Sequence, residues 1–463
     1  MSETQTYDVV ILGGGSGGYA CALRAAELGL SVAVVEHDKL GGTCLHRGCI
    51  PTKALLHAGE IADAVREADQ FGVRASFDGV DLTGVNAYKD SVVARLYKGL
   101  QGLVKGRGIT VVEGTGRLVG PRTIEVGGTA YEGRHVVLAS GSATLSLPGL
   151  ELDGERVLSS WEAMQLDTLP QHAVVLGGGV IGVEFASAWR SFGAEVTIIE
   201  ALPRLVPAED AESSKVVERA FRKRGIAVKT NTRFAGVERT ETGVRVSVES
   251  AESGESYDAD LLLVAVGRGP NSAGLGYEKQ GIATDRGFVL TDERLRTNVA
   301  GVYAVGDLVP GLQLAHRGFQ HGIFVAEDIA GLEPATIDEA GIPRVTYCEP
   351  EVASVGLSEE QAQQTYGTEQ VETLTYDLGG NGKSQILKTQ GFVKLVRRTD
   401  GPVVGIHMVG ARVGELIGEA QLIYNWEAFP DDVAGLVHMH PTQNEALGEA
   451  HLALAGKPLH AHS

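Results

Sequence analysis

Residues 7–18 read Tyr7-Asp-Val-Val-Ile-Leu-Gly13-Gly-Gly15-Ser-Gly-Gly18, a helical pattern follows to Leu28-Gly29, and Ser31-Val-Ala-Val-Val-Glu36 completes the stretch. The apolar run before the glycines predicts a buried strand, and the order strand, glycine turn, helix, strand follows. In such a turn the first glycine, Gly13, shapes the bend. The second, Gly15, admits a pyrophosphate, and the third, Gly18, lets helix pack on strand. Glu36 closes the second strand, where a carboxylate accepts from a ribose hydroxyl.

A single fingerprint of this kind is weak evidence, but here it recurs. Gly13, Gly15, Gly18, Gly29 and Glu36 return as Gly177, Gly179, Gly182, Gly193 and Glu200, each 164 residues on. Val174-Val-Leu precedes the second set and Val196-Thr-Ile-Ile-Glu200 ends it. The chain therefore carries two Rossmann-type α/β halves, and two bound dinucleotides are expected.

At 463 residues the chain is long enough for several domains. Its 62 glycines come without any low-complexity run, which fits nucleotide-binding turns rather than disorder. The net charge of −19, from 40 basic and 59 acidic residues, argues against nucleic acid or an anionic membrane as partner. It leaves room for a basic protein partner, and equally for solubility alone. Four cysteines indicate a reducing compartment, and no signal peptide or membrane-length apolar run is visible. A cytoplasmic protein is expected.

The chemistry centres on Gly41-Gly-Thr43-Cys44-Leu-His-Arg-Gly48-Cys49-Ile-Pro51-Thr-Lys53. Pro51 suits the first turn of a helix beginning just after Cys49. The helix terminus would favour a thiolate at Cys49, and Lys53 lies one turn further on the same face. A structural disulfide is disfavoured by the low cysteine count, and a metal site by the lack of further ligands near His46. A redox-active pair remains.

This segment resembles the active-site disulfide of the pyridine nucleotide-disulfide oxidoreductases, and the whole chain is similar to their dihydrolipoamide dehydrogenase branch. Thiols pass electrons to nicotinamide by way of a flavin. FAD is therefore expected in the first fold and the nicotinamide dinucleotide in the second. Glu200 favours NAD, because a 2′-phosphate beside it would be repelled. Nearby Arg204 is read as a solvated side chain. The resemblance implies FAD contacts at Gly13, Gly15, Gly18, Glu36, Thr43, Lys53, Gly116, Ser140, Gly141, Asp307 and Ala315. It implies NAD contacts at Gly177, Gly179, Gly182, Glu200, Val237 and Gly267. It also pairs Glu184, on the second fold's helix, with Lys53.

Residues 58–105 read as helix with a polar interruption near 76–81, and residues 109–139 and 233–264 alternate like strands. A helix is expected over 316–331. Val345-Thr-Tyr, Phe392-Val-Lys-Leu-Val and Val403–Val409 suggest an antiparallel sheet with flanking helices. By resemblance the domains are an FAD-binding part over 1–148, an NAD-binding domain over 149–268, a central FAD-associated part over 269–341 and an interface domain over 342–463. Cys21 and Cys348 are expected to be buried apolar residues. Near the end, His438-Met-His440-Pro-Thr-Gln-Asn-Glu445 supplies a base, since only thiolates attack disulfides. His440 and Glu445 match the family's His–Glu pair. His438 is read as packing or surface, and His451, His460 and His462 as surface or tail. Two departures stand out: His46-Arg47, which place cationic side chains between the cysteines, and Gln320-His321, where many relatives carry glutamate.

The implied activity is oxidation of a protein-bound dihydrolipoyl group by NAD⁺ in a homodimer. Its partners would be the lipoyl domains and core acyltransferase of 2-oxo acid dehydrogenase complexes. The rival readings are an NADPH-dependent reductase of a small disulfide of glutathione or mycothiol type, and a non-catalytic flavin redox sensor or scaffold.

Overall fold

The computed structural model describes residues 4–249 and 254–461. Two compact units result. The first comprises Met1–Leu55, Asp81–Leu145 and Gly267–Glu339; the second comprises Leu56–Val80, Ser146–Val266 and Ala340–Ser463.

The first unit is built on a seven-stranded sheet. Thr110–Glu113, Val32–Glu36, Thr4–Leu12, Thr129–Leu138 and Val302–Ala304 pair in parallel, in that order. Arg117–Gly120 and Thr123–Val126 extend the other end of Thr129–Leu138 as an antiparallel ribbon. Val9, Val10 and Ile11 are fully buried, as expected for a central strand covered on both faces. One face packs under helices Ser16–Glu27 and Ala315–Ile329, with Cys21, Ala22, Ala25, Phe324 and Val325 in the core. Residues 58–105 resolve into the latter part of helix Cys49–Arg66, a short turn at Ala68–Phe71 and the 25-residue helix Leu82–Gly106.

The second unit repeats the plan. Ala227–Lys229, Glu195–Ile199, His172–Leu176, Leu261–Val264 and Val157–Leu158 form a parallel sheet, with helix Val180–Phe192 following the glycine turn. Arg233–Arg239, Val244–Glu249 and Gly254–Ala259 make an antiparallel flap whose Val244, Val246 and Val248 join the same core.

The same unit contains the C-terminal antiparallel sheet, in the order Arg344–Thr346, Glu351–Gly356, Val403–Gly410, Phe392–Arg398 and Val371–Asp377. Sequence patterning missed two of these strands. Glu351–Gly356 is buried on both faces and gives no alternation, and Val371–Asp377 is a polar edge strand. His451 was also misread as surface. It lies at 0% exposure on the inner face of helix Glu445–Leu454, beside Leu447, Ala450 and Leu454. Its Nδ1 donates to Leu447 O, and burial pushes its pKa down to about 4. His462 lies outside the described residues. Cys21 and Cys348 are buried thiols, as expected. Among the described residues no helix is long and apolar enough to cross a membrane.

Buried charge ties this unit together. Lys394 Nζ lies 2.9 Å from Asp210 Oδ1 and 2.7 Å from Glu359 Oε2, with Lys394 and Asp210 almost wholly inaccessible. Asp210 also caps helix Ala211–Lys223 by accepting from Glu212 N, and accepts from Glu359 N. Lys394→Met keeps the stem and removes the ammonium, leaving Asp210 without its cation. Urea unfolding at neutral pH is expected to show a loss of about 3–5 kcal/mol, the usual cost of breaking a buried pair. A loss below about 1 kcal/mol, the range of an exposed pair, would contradict this account.

Candidate active site

Both glycine turns are built alike. Gly13 N donates to Val35 O and Gly177 N to Ile199 O, each at 2.8 Å. Gly13 and Gly177 have φ of 108° and 109°, and a β-carbon at either would overlap the carbonyl oxygen of the next strand's end, Ala139 or Ala265. A β-carbon at Gly18 or Gly182 would press still closer on the carbonyl oxygen of Gly13 or Gly177. Gly15 and Gly179 differ: above Gly179 a β-carbon would meet nothing within 4 Å, and above Gly15 only Gly42 Cα at 3.9 Å. They are the N-caps of helices Ser16–Glu27 and Val180–Phe192 and supply no side-chain cap. The helix N–H groups are thus left for an anion, and the open space above suits a pyrophosphate.

Glu36 and Glu200 are buried at 8% exposure. Glu36 accepts from Gly14 N at 2.7 Å and Asp38 N at 2.8 Å; Glu200 accepts from Gly178 N at 2.6 Å and Leu202 N at 2.7 Å. Each carboxylate holds its glycine loop and keeps lone pairs for a ribose diol. Arg204 is half-buried rather than solvated. Its Nη2 donates to Pro207 O and Glu209 O, so it caps its own loop.

The cysteine segment differs from expectation in one respect. Cys44 lies on a helix of its own, Gly42–Arg47, and Gly48 separates this from helix Cys49–Arg66. Gly41 at φ 105° and Gly42 at φ 57° make the bend that starts it. Cys49 is the first residue of the longer helix, and Pro51 falls in its first turn. Both cysteines are free thiols. The Cys44 thiol is pushed far above the usual thiol range, first by its hydrogen bond to Cys49, then by burial and by negative charge at Cys49, with Lys53 opposing. A proton shared by the pair resides on Cys44. Between them, His46 Nε2 contacts Leu40 O at 2.9 Å with its ring edge-on to Tyr97, and Arg47 pairs with Asp38.

Asp307 lies in the turn Gly306–Leu308 and accepts from Ser142 Oγ at 2.6 Å. Arg268 holds Ser142 through its hydroxyl and carbonyl, and its half-buried guanidinium also feels the charges of Asp307 and Cys49. Tyr19 is the other neighbour sequence reasoning missed. Burial, then charge at Cys44 and Cys49, pushes its pKa up to about 12. Nothing in the sequence marks Tyr19, whereas Arg268 sits in the glycine-rich turn after Val264. Ser140 Oγ donates to Asn271 O and accepts from the buried Tyr277 hydroxyl, so its role in the Ser140-Gly141 turn is structural as well. Gly116 packs against Leu12 and Val35, Ala315 opens helix Ala315–Ile329, and Thr43 follows Gly42 in the Cys44 helix.

In the second unit Glu184 is buried in helix Val180–Phe192 and accepts from Tyr347 N at 2.9 Å. Gly267, at φ 117°, falls in the first unit; Val237 lies in the flap against the second fold's core. His440 Nδ1 lies 2.8 Å from Glu445 Oε2, and the histidine side chain is 77% exposed. Asn381 Nδ2 donates to Glu445 Oε1 and Thr442 O, fixing the carboxylate. His438 turns inward to Glu419, which raises its pKa, and Asn444 holds the other oxygen of Glu419. His460 is exposed beside Glu449.

Residues 7–322 match the pyridine nucleotide-disulphide oxidoreductase family, and residues 342–451 its dimerisation domain. The chain belongs to the pyridine nucleotide-disulphide oxidoreductases. It is a flavoprotein oxidoreductase whose cofactors are FAD and NAD, and the two cradles fit one dinucleotide each. It is 43% identical to dihydrolipoyl dehydrogenase of Bacillus subtilis (strain 168), with 98% of this chain and 99% of that one covered. It is 40% identical to the mitochondrial dihydrolipoyl dehydrogenase of Pisum sativum, over 99% of this chain and 93% of the other. Among solved structures, LpdA of Mycobacterium tuberculosis aligns with a TM-score of 0.89 at 28% identity, covering 97% and 99% of the two chains.

The geometry at Glu200 makes a specificity prediction. Glu200→Gln keeps an acceptor for the glycine loop and removes the charge. Discrimination against NADP⁺ should fall by at least roughly tenfold in kcat/KM, because juxtaposed like charges cost several kcal/mol. Steady-state rates with both nucleotides test this; a wild-type preference for NADP⁺ contradicts it.

Proposed function

We propose that this protein is a dihydrolipoyl dehydrogenase. It oxidises protein-bound dihydrolipoamide with NAD⁺, binding FAD at Gly13, Gly15, Gly18 and Glu36 and NAD at Gly177, Gly179, Gly182 and Glu200. The observation that carries the reading is a dithiol beside the first cradle together with a histidine–carboxylate pair in the dimerisation segment. A sensor or scaffold has no need of the second. The relatives of that name at 40–43% identity support this substrate over a small disulfide. The buried carboxylate of Glu200 and the engagement of Arg204 within its own loop support NAD over a nucleotide with a 2′-phosphate.

Glu445 holds the Nδ1–H of His440 and leaves Nε2 as the exposed acceptor. Nε2 takes a proton from one substrate thiol. The thiolate attacks Cys44 Sγ of the oxidised pair, the Cys44–Cys49 bond breaks, and Cys49 leaves as a thiolate at the helix terminus near Lys53. The second substrate thiol gives its proton to solvent and, as the thiolate, attacks the sulfur bonded to Cys44. The lipoyl disulfide forms, Cys44 leaves and takes the proton held on His440 Nε2, and the two electrons now rest on the cysteines. FAD, when bound, relays that electron pair between thiols and NAD⁺. The roles of Lys53 and Glu184 are electrostatic: a positive charge for Cys49, and a buried carboxylate in the nicotinamide half.

The base acts across a homodimer. His440 stands in the segment that matches the dimerisation domain, and its own unit holds no cysteine besides the buried Cys348. Leu436, Val437 and Met439, at 60%, 96% and 73% exposure beside His440, supply apolar surface for a second copy. The lipoyl domains and core acyltransferase of 2-oxo acid dehydrogenase complexes are the proposed partners.

Two experiments test these roles. Reduced Cys44→Ser should keep a long-wavelength thiolate-to-flavin absorption band, and Cys49→Ser should lose it; the reverse pattern exchanges the two thiols. Separately, Cys44→Ser and His440→Gln subunits, each nearly inactive alone, can be mixed. A mixed dimer has one doubly defective site and one intact site, so activity should return toward half per dimer. Verified mixed dimers as inactive as their parents would place the base within its own chain.

A further inference from the structure

Helix Ala315–Ile329 carries two buried polar side chains, Arg317 at 2% and His321 at 1% exposure. They stand one turn apart on the same face. His321 Nδ1 accepts from Gly306 N at 3.3 Å, and Arg317 Nη1 donates to Gly306 O at 3.2 Å. The glycine before Asp307, itself at φ 69°, is thus held through both of its backbone polar groups. Arg317 Nη2 also donates to Pro310 O, on the far side of the turn.

Behind both side chains stands Glu339. Arg317 Nε donates to its two oxygens at 2.9 and 2.8 Å, and His321 Nε2 lies 3.4 Å from Oε1. The hydrogen bonds fix the tautomer. Nδ1 accepts from an N–H, so the ring proton is on Nε2, facing the carboxylate. The carboxylate beside Arg317 comes from Glu339, which leaves position 321 to a neutral acceptor.

We infer that Arg317, His321 and Glu339 are positioning residues that lock the Gly306–Asp307 turn in the shape that holds FAD, and do so only while His321 is unprotonated. The inference rests on the assignment of FAD to the first fold. Protonated His321 would turn a donor toward the Gly306 N–H. The charged groups facing it are Arg317 and Glu339. Asp307 lies one residue beyond Gly306, and the facing helix Ser16–Glu27 contributes Cys21, whose burial pushes its pKa up to about 12 and keeps it neutral. Burial, seconded by Arg317 and opposed by Glu339, holds His321 below its ordinary 6.5. A histidine depressed in the fold contributes stability that is fully present above the unfolded value and lost as pH falls through the folded one.

The test uses holoprotein warmed slowly, with flavin fluorescence reporting FAD release and far-UV circular dichroism reporting unfolding, from about pH 8 down to about pH 5, where histidine titrates. Wild type should release FAD earlier as pH falls. His321→Asn offers an amide oxygen in place of Nδ1 and cannot titrate; its release at neutral pH should match wild type and its acid limb should flatten. His321→Leu should release FAD roughly 2–4 °C early or more at every pH. His321→Glu sets two carboxylates together and should also release early, as should Glu339→Gln. The double substitution His321→Glu with Glu339→Gln returns a carboxylate to Arg317 and should restore wild-type release at neutral pH. The inference is overturned if Asn and Leu behave alike, or if the double variant is no better than either single one. The second comparison stands if the Leu protein fails to fold. Wild-type protein purified without flavin absorbance would defeat the FAD assignment itself, a result distinct from either.

Discussion

Two carbonyl oxygens, those of Ala139 and Ala265, set the terms for much of this molecule. Each ends a parallel strand and presses so closely on the first glycine of the neighbouring turn that no β-carbon fits between. That approach lets strand, turn and helix meet at the carboxyl edge of the sheet, where helix N–H groups point at open space. A larger residue would push the helix from the strand and fill the cradle with side chain. The same contact in both folds gives two dinucleotide sites of matching geometry.

Buried carboxylates then do much of the fixing. Glu36 and Glu200 staple their glycine loops, and Asp210 joins a helix cap to the C-terminal sheet. A buried carboxylate is costly unless it is paired or hydrogen-bonded. Each of these is, its partner a backbone N–H or a buried cation. Asp328 repeats the device with Arg294, Arg296 and Tyr303, beneath the sheet of the first unit.

The thiol chemistry follows from a break in a helix. Gly48 separates two cysteines that a continuous helix would have placed on different faces, and it gives Cys49 a helix terminus of its own. The hydrogen bond between the thiols and the charge of Lys53 then divide the labour: the proton stays with Cys44, and negative charge is favoured at Cys49. His440, oriented by Glu445 and left exposed, is suited to proton transfer with an incoming thiol rather than to packing.

Much of this was legible in the sequence because it is local. Glycine spacing reports backbone conformations that other residues cannot adopt, and the apolar runs report strands covered on both faces. The 164-residue repeat, the cysteine segment and the His440–Glu445 spacing needed no neighbours to be recognised. What only the tertiary structure decided joins distant segments. Ser142 and Asp307, 165 residues apart, form one hydrogen bond, and Lys394 and Asp210, 184 apart, one buried pair. His451 carries no mark of burial, because its place depends on which face of its helix meets the sheet. Arg204, read as solvated, caps a loop, while Arg268 reaches Ser142 beside Asp307. The two arginines are chemically alike, so their roles follow from where the chain brings each guanidinium rather than from the residue itself.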